Sequence, residues 1–225
     1  MQEIQGVFVL LWVQNNNKKE VSFVFTLGWL TLIFISWYFM LKSNGKTMRE
    51  FLGESMDIAK GLRVSHFIMA IPIIAAIVIV GSFLYSLHPI LQFGWLWSML
   101  TGGEQVVAAG FPWVSLLIGI MIGVFSLFIP MLAYNEEVAF RESYIDKGWG
   151  KGLVGSLIFG LAHMVMGIPL AFALALSIGG VAFLYIAKKK GIMESTYVHA
   201  AYNFTVITLV LILVWSDVFT YLLSM

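Results

Sequence analysis

The chain has no cysteine and few charged side chains. Of its 225 residues only 11% are Asp, Glu, Lys or Arg, 60% are hydrophobic, and the net charge is +1. The missing thiols exclude disulfides, thiolate metal sites and a cysteine nucleophile. The small net charge gives no basic surface for nucleic acid. Because soluble domains carry about 25% charged residues, this composition indicates an integral membrane protein.

Long apolar runs predict an all-α, polytopic transmembrane helix bundle. A helix needs about 20 apolar residues to cross about 30 Å of hydrocarbon, and none of the runs alternates as a strand would. Two shorter runs, residues 7–13 and 90–100, are expected to be interfacial or re-entrant helices. Six runs are predicted to span, the fourth being short: Val21–Leu41, Val64–Leu87, Trp113–Tyr134, Leu153–Met166, Ile168–Ala187 and Met193–Trp215.

Basic residues predict the orientation of this bundle. Of 13 Lys and Arg residues, 11 fall in the loop 42–63, between the third and fourth spans, or after the fifth span. With six spans these positions share one side, which the positive-inside rule makes cytoplasmic. We interpret Lys188–Lys190 as an anchor of this kind that needs no partner. The loop 42–63 is expected to be an amphipathic connector along the membrane surface.

Polar side chains lie within or next to three predicted spans, where ionisable groups are costly and are functional candidates. If the third helix continues to about Asp146, the helical rise places these groups at similar depths, about 13–18 Å from the cytoplasmic boundary. We therefore expect them to converge on one site. They are Glu136, Glu137 and Arg141 after the third span, His163 in the fourth, and His199 and Asn203 in the sixth.

Helical spacing suggests a role for each carboxylate. Glu137 and Arg141 are spaced i,i+4 with the acid first, which favours an ion pair. Glu136 lies about 100° around the helix, so we expect it to be free to take a proton from water. A simpler explanation of the pair is a charged anchor at the membrane edge.

The two histidines are also placed by helical spacing. Phe159 and His163 are one turn apart in the fourth span, as are His199 and Asn203 in the sixth. An imidazole and an amide can both donate hydrogen bonds to a carbonyl oxygen that becomes negative. Each histidine alone would also be explained by helix packing.

Taken together, the motifs resemble those of the CPBP family, the CAAX proteases and bacteriocin-processing (Abi) intramembrane proteases. The resemblance covers about residues 113–210 and divides the chain into an N-terminal membrane region, residues 1–112, without a motif, and a catalytic four-helix membrane core, residues 113–225. The motifs are Glu136-Glu137-x-x-x-Arg141, Phe159-x-x-x-His163 and His199-x-x-x-Asn203.

This resemblance implies peptide-bond hydrolysis in a membrane cavity open to the cytoplasm. Glu136 would activate the attacking water and His163 would share or orient it. His199 and Asn203 would stabilise the tetrahedral oxyanion. Structural support would come from Phe159 and from Glu137 held by Arg141.

Two mechanisms are described for the family, that of a metal-free glutamate protease and that of a metalloprotease. They differ in whether a metal cofactor is needed. Glu136, His163 and His199 would form a three-ligand zinc site. The chain has no His-Glu-x-x-His motif, and Asn203 is a poor zinc ligand. We therefore favour the mechanism without a cofactor.

We expect an intramembrane endopeptidase of the bacterial cell membrane that cleaves a prenylated, amphipathic or signal- or bacteriocin-type peptide. Its partners would be this membrane-associated peptide or protein and the lipid bilayer, without nucleic acid. One alternative is a non-catalytic immunity or scaffold protein with the same fold, which should tolerate loss of Glu136. The other is a small membrane transporter, for which paired broken helices or an internal repeat would be expected, and the sequence shows neither.

Overall fold

The computed structural model describes residues 45–94, 119–120 and 122–223, with the side chains of residues 166 and 213–223 excepted. In these ranges the chain is helical and has no strand. Short 3-10 helices lie at Pro89–Gln92, Glu142–Tyr144 and His163–Met166. The α-helices are α1 (Met48–Lys60), α2 (Val64–Leu87), α3 (Ile129–Phe140), α4 (Trp149–Ala162), α5 (Leu170–Lys190) and α6 (Ile192–Leu223).

Within the described ranges, three helices are long and apolar enough to cross a membrane: α2, α5 and residues Ile192–Ile212 of α6. They correspond to the second, fifth and sixth predicted spans, and α4 is a shorter apolar helix. The all-helical fold is thus confirmed for the described residues, whereas the number of six spans stays a prediction. The predicted span at residues 21–41, the run 7–13 and most of the run 90–100 lie outside the described residues.

Helices from both predicted regions of the chain pack together. α2 precedes residue 112 and contacts α5 and α6, which follow it. Their contact surface is an apolar core that includes Ile73 and Ile77 of α2, Phe183 of α5 and Val198 of α6. The division at residue 112 therefore stays a prediction about where the motifs lie.

The third predicted span contains a break. Residues 122–126 are helical, residues 127–128 form a turn, and α3 begins directly afterwards. Pro130 explains the break, because its ring clashes with the carbonyl four residues earlier and it has no N–H to donate. In the first turn of a new helix the same proline is tolerated.

α1 lies in the loop that we expected to be an amphipathic connector, and it supports this break. Phe51 and Ser55, one turn apart, are its buried residues. Ser55 Oγ donates a hydrogen bond to the Leu127 carbonyl at 2.8 Å and accepts one from the Met131 N–H at 3.4 Å. The Phe51 ring packs 5.9 Å from that of Phe128. α1 thereby holds the start of the helix that carries the acidic pair.

α3 ends earlier than the continuous helix to Asp146 that we expected. It stops at Phe140, and the chain turns through Glu142–Tyr144. The depth predicted for Glu136 assumed an unbroken helix and is therefore too large.

Lys188 of α5 holds this turn after α3. Its ammonium group donates to the carbonyls of Tyr144, Ile145 and Lys147 at 3.0, 2.6 and 2.7 Å. Lys188 thus has partners within the chain, and its interpretation as a positive-inside anchor stays a prediction. An ammonium group that donates hydrogen bonds to three carbonyls is held in place more firmly than the side chain of a lysine that contacts only water.

Small side chains let α4 approach α5 closely. Gly152, Ser156 and Gly160 are spaced four residues apart on one buried face of α4. A Cβ atom at Gly160 would collide with the Ser177 side chain and the Ala173 carbonyl of α5. This contact fixes the position of the α4 residues that enter the site described below.

Replacing Gly160 with alanine should destabilise the protein by about 1–3 kcal/mol, because the added methyl group overpacks the contact with α5. Gly150→Ala on the same helix is the matched control, since a Cβ atom there meets nothing within 4 Å. We expect the control to be neutral or stabilising by up to ~1 kcal/mol. Thermal unfolding in detergent measures both, and equal melting temperatures would contradict the close contact.

Candidate active site

A fully buried carboxylate, Glu137, lies at the centre of the polar cluster formed by α3 and α6. Its Oε1 atom is 2.8 Å from His199 Nδ1 and 2.9 Å from Arg141 Nη1. Its Oε2 atom accepts a hydrogen bond from Ser195 Oγ at 2.6 Å. The ion pair expected from the i,i+4 spacing is present, and α6 supplies two further partners. All three favour the ionised form of Glu137.

Arg141 is also fully buried. The Cζ atom of its guanidinium group lies over the Phe159 ring, 4.0 Å from the ring centroid, and 5.4 Å from that of Phe183. None of the three guanidinium nitrogens makes a hydrogen bond of good geometry within the described residues. Charge attraction to Glu137 and the aromatic faces therefore hold this cation, rather than a hydrogen-bonded fork.

The His199 ring is held by its neighbours in one orientation. It stacks on Phe183 of α5 with 4.4 Å between ring centroids and meets the edge of Phe159 at 5.6 Å. Because an ionised carboxylate only accepts, the contact with Glu137 assigns a proton to Nδ1. The other nitrogen, Nε2, then faces Glu136.

Glu136 has the opposite environment to its sequence neighbour. Its side chain is 33% exposed, and its Oε2 atom lies 3.5 Å from His199 Nε2, too long for a strong hydrogen bond. That oxygen is nevertheless buried and has no hydrogen-bond donor within the described part of the chain. A buried acceptor of this kind is suited to bind a water molecule.

His163 reaches the cluster through Phe159. It begins the 3-10 turn after α4, is half-buried, and its Nδ1 atom lies 2.8 Å from the Phe159 carbonyl oxygen. Its ring meets that of Phe159 at 4.7 Å. Phe159 thus contacts His163, His199 and Arg141.

Asn203 lies one turn beyond His199 on α6 and is half-buried. Its amide has no hydrogen-bond partner among the residues described. The structure therefore brings five of the predicted residues into direct contact, adds His163 through one of them, and leaves Asn203 beside the cluster. The five are Glu136, Glu137, Arg141, Phe159 and His199.

The donors are not arranged as a three-ligand zinc site. No three His, Asp or Glu side chains of the described residues lie close enough together to hold a metal ion. The Nδ1 atom of His199 is engaged by Glu137, and that of His163 by the carbonyl of Phe159. Such contacts are also typical of metal-binding histidines, which ligate through the other ring nitrogen. The choice between a zinc site of Glu136, His163 and His199 and the metal-free mechanism therefore stays a prediction.

Two residues of the cluster were missed in the sequence. Ser195 precedes His199 by one helical turn, so its spacing places it on the same face of α6. Phe183 lies within an apolar run of α5, and nothing in that run distinguishes it from its neighbours. Helical spacing could therefore have identified Ser195, whereas no feature of the sequence identifies Phe183.

The chain matches no protein-family model, and searches of curated proteins and of solved structures give no match. The CPBP family therefore stays an expectation from the motif resemblance, and roles for the residues are argued from their chemistry and geometry.

Arg141→Met should destabilise the protein by about 3–5 kcal/mol, because it leaves the Glu137 charge buried without its cation. Lys151→Met is the matched control, since Lys151 is an exposed cation on α4. We expect the control to change stability by less than about 0.5 kcal/mol. Chemical unfolding in detergent measures the difference, and similar values for the two variants would show that the ion pair contributes no stability.

Proposed function

We propose that the protein is an intramembrane endopeptidase of the CPBP type, which hydrolyses a peptide bond of a membrane-associated peptide or protein. One observation carries the proposal. Glu136 presents a buried carboxylate oxygen, without a donor in the described part of the chain, to the Nε2 atom of a histidine whose other nitrogen is held by Glu137. A carboxylate and an oriented imidazole that face one space can hold water against a substrate carbonyl.

In the first step, Glu136 accepts a hydrogen bond from the water. As the water oxygen attacks the carbonyl carbon, the C–O bond forms and the proton passes to Glu136. In this proposal His163, whose ring contacts that of Phe159, shares or orients the same water. Partial exposure of Glu136 leaves a path by which water enters, whereas Glu137 has no exposed surface.

The tetrahedral intermediate carries a negative oxygen that needs donors. Because Nδ1 of His199 donates to Glu137, the ring also donates from Nε2 only when both nitrogens are protonated. The amide of Asn203, which has no partner among the described residues, is the second donor. When the intermediate collapses, the C–N bond breaks and Glu136 returns its proton to the leaving amine.

The proposal includes the membrane arrangement. Three helices of the described residues are long and apolar enough to span, which supports an integral membrane protein. The number of six spans comes from the apolar runs of the sequence and is part of the proposal. By the positive-inside rule, the basic end of α5 lies on the cytoplasmic side of a bacterial cell membrane, and the cavity opens toward the cytoplasm. The substrate is a prenylated, amphipathic or signal- or bacteriocin-type peptide that reaches the site from the bilayer.

Glu136→Gln should reduce cleavage by about 10²–10⁴-fold, because the amide cannot take the proton from water. Comparative peptidomics of membranes that contain the wild type or the variant measures this loss. Glu142→Gln is the control, since Glu142 is an exposed carboxylate just beyond α3. We expect the control to cleave as the wild type does.

An unchanged peptide profile in Glu136→Gln, with the variant folded and present at wild-type levels, would contradict the assigned mechanism. Biological activity that survives this substitution would instead support a non-catalytic immunity or scaffold protein. Glu136-dependent ion flux in liposomes, without cleavage, would support a transporter.

The metal-free mechanism predicts that cleavage persists after the purified protein is dialysed against a chelator such as EDTA. Glu136 and the two histidines then act on water without a Lewis acid. Peptide cleavage before and after dialysis is the measurement, with a zinc protease treated in parallel as a positive control. Loss of cleavage that added zinc restores would show that the metalloprotease mechanism is correct.

A further inference from the structure

An apolar cavity of about 270 Å³ lies between helices α2, α5 and α6, and residues 167–169 form part of its wall. Tyr202 is the one side chain with a polar atom among the lining residues, all of which belong to the described part of the chain. The lining includes Ile74 and Val78 of α2, Leu176 of α5, and Tyr202 and Val206 of α6.

The wall of the cavity includes neighbours of the candidate active site at two places. Tyr202 lies between His199 and Asn203 in the sequence, and its ring is 6.3 Å from that of His199 and 5.9 Å from that of Phe183. The wall formed by residues 167–169 directly follows the 3-10 turn His163–Met166. Both histidines are therefore followed within one turn by residues that line the cavity.

The wall after His163 has a fixed backbone. Gly167 adopts φ of +84°, a left-handed conformation that suits glycine and ends the 3-10 turn. The Leu170 N–H donates to the Phe93 carbonyl at 2.9 Å, which ties the start of α5 to the segment after α2. These constraints indicate that the cavity is formed before any ligand enters it.

We propose that this cavity is a substrate subsite that receives one large aliphatic or aromatic side chain beside the peptide bond that is cut. The inference rests on the proposed function. Because Tyr202 lines the cavity and its ring is 6.3 Å from that of His199, an occupant of the cavity would lie near the place proposed for the substrate carbonyl. An apolar cavity of about 150 Å³ suffices for a benzene molecule, whereas sites for larger ligands measure about 300–1,000 Å³. The volume therefore favours a single side chain over a whole lipid chain.

A binding experiment tests the subsite without requiring cleavage. The probe is a tripeptide amide with a central diazirine leucine, photolysed with the full chain in liposomes and mapped by mass spectrometry. We expect adducts on Tyr202 and its cavity neighbours in the wild type and equally in Glu136→Gln. Val206→Phe, which fills the cavity, should reduce these adducts at least fivefold. Val210→Phe, one turn further along α6 and 39% exposed, is the matched control and should leave them unchanged.

A cleavage experiment tests the specificity of the same subsite. Leu176→Ala enlarges the cavity, so the ratio of kcat/KM for a tryptophan-containing over a leucine-containing peptide should rise about tenfold or more. If Val206→Phe fails to fold, the kcat/KM ratio of Leu176→Ala tests the subsite in its place. Adducts that persist in a folded Val206→Phe, or an unchanged ratio in Leu176→Ala, would overturn the subsite.

The two proposals fail in different ways. Adducts without any cleavage would leave the cavity as a side-chain site and remove the protease assignment. Cleavage without adducts would keep the protease assignment and remove the cavity as a side-chain site. If a diazirine fatty acid labels the cavity and the tripeptide does not compete, a lipid chain is the occupant and the proposed subsite is wrong.

Discussion

The buried charge of Glu137 is the constraint on which the rest of the site depends. A carboxylate removed from water is costly unless cations and hydrogen-bond donors surround it. Arg141 supplies the cation, and Ser195 and His199 supply donors from α6. Because these partners come from two helices, satisfying one carboxylate joins α3 to α6. The same contact also fixes which nitrogen of His199 is directed toward Glu136.

Close helix packing and this electrostatic arrangement depend on each other. The small residues of α4 bring Phe159 against α5, where it lies beside Phe183. The two rings then cover Arg141 and His199 and exclude water from them. Charges interact more strongly where water is excluded. The close approach of α4 to α5 at the glycine residues therefore strengthens the ion pair of Glu137 and Arg141.

Sequence reasoning predicted the long helices and the ion pair but not how the third predicted span is divided. Apolar length alone locates α2, α5 and α6, and i,i+4 spacing places Glu137 beside Arg141. The break before α3 was readable from Pro130, although a search for long apolar runs passes over a single proline. The end of α3 at Phe140 depends on tertiary contacts such as that of Lys188 with the following turn. Those contacts join residues far apart in the sequence, so no local pattern contains them.

Glu136 and Glu137 are adjacent and chemically identical, yet about 100° of helical rotation gives them opposite environments. Glu137 faces α6 and is held by Arg141 and His199, while Glu136 remains partly exposed. In the proposed reaction Glu136 loses its negative charge in the same step in which the substrate oxygen gains one. The total charge beside His199 and Arg141 therefore does not change during the attack. A site with little access to solvent avoids the large cost of creating a new buried charge, because the reaction only moves one from the carboxylate to the substrate.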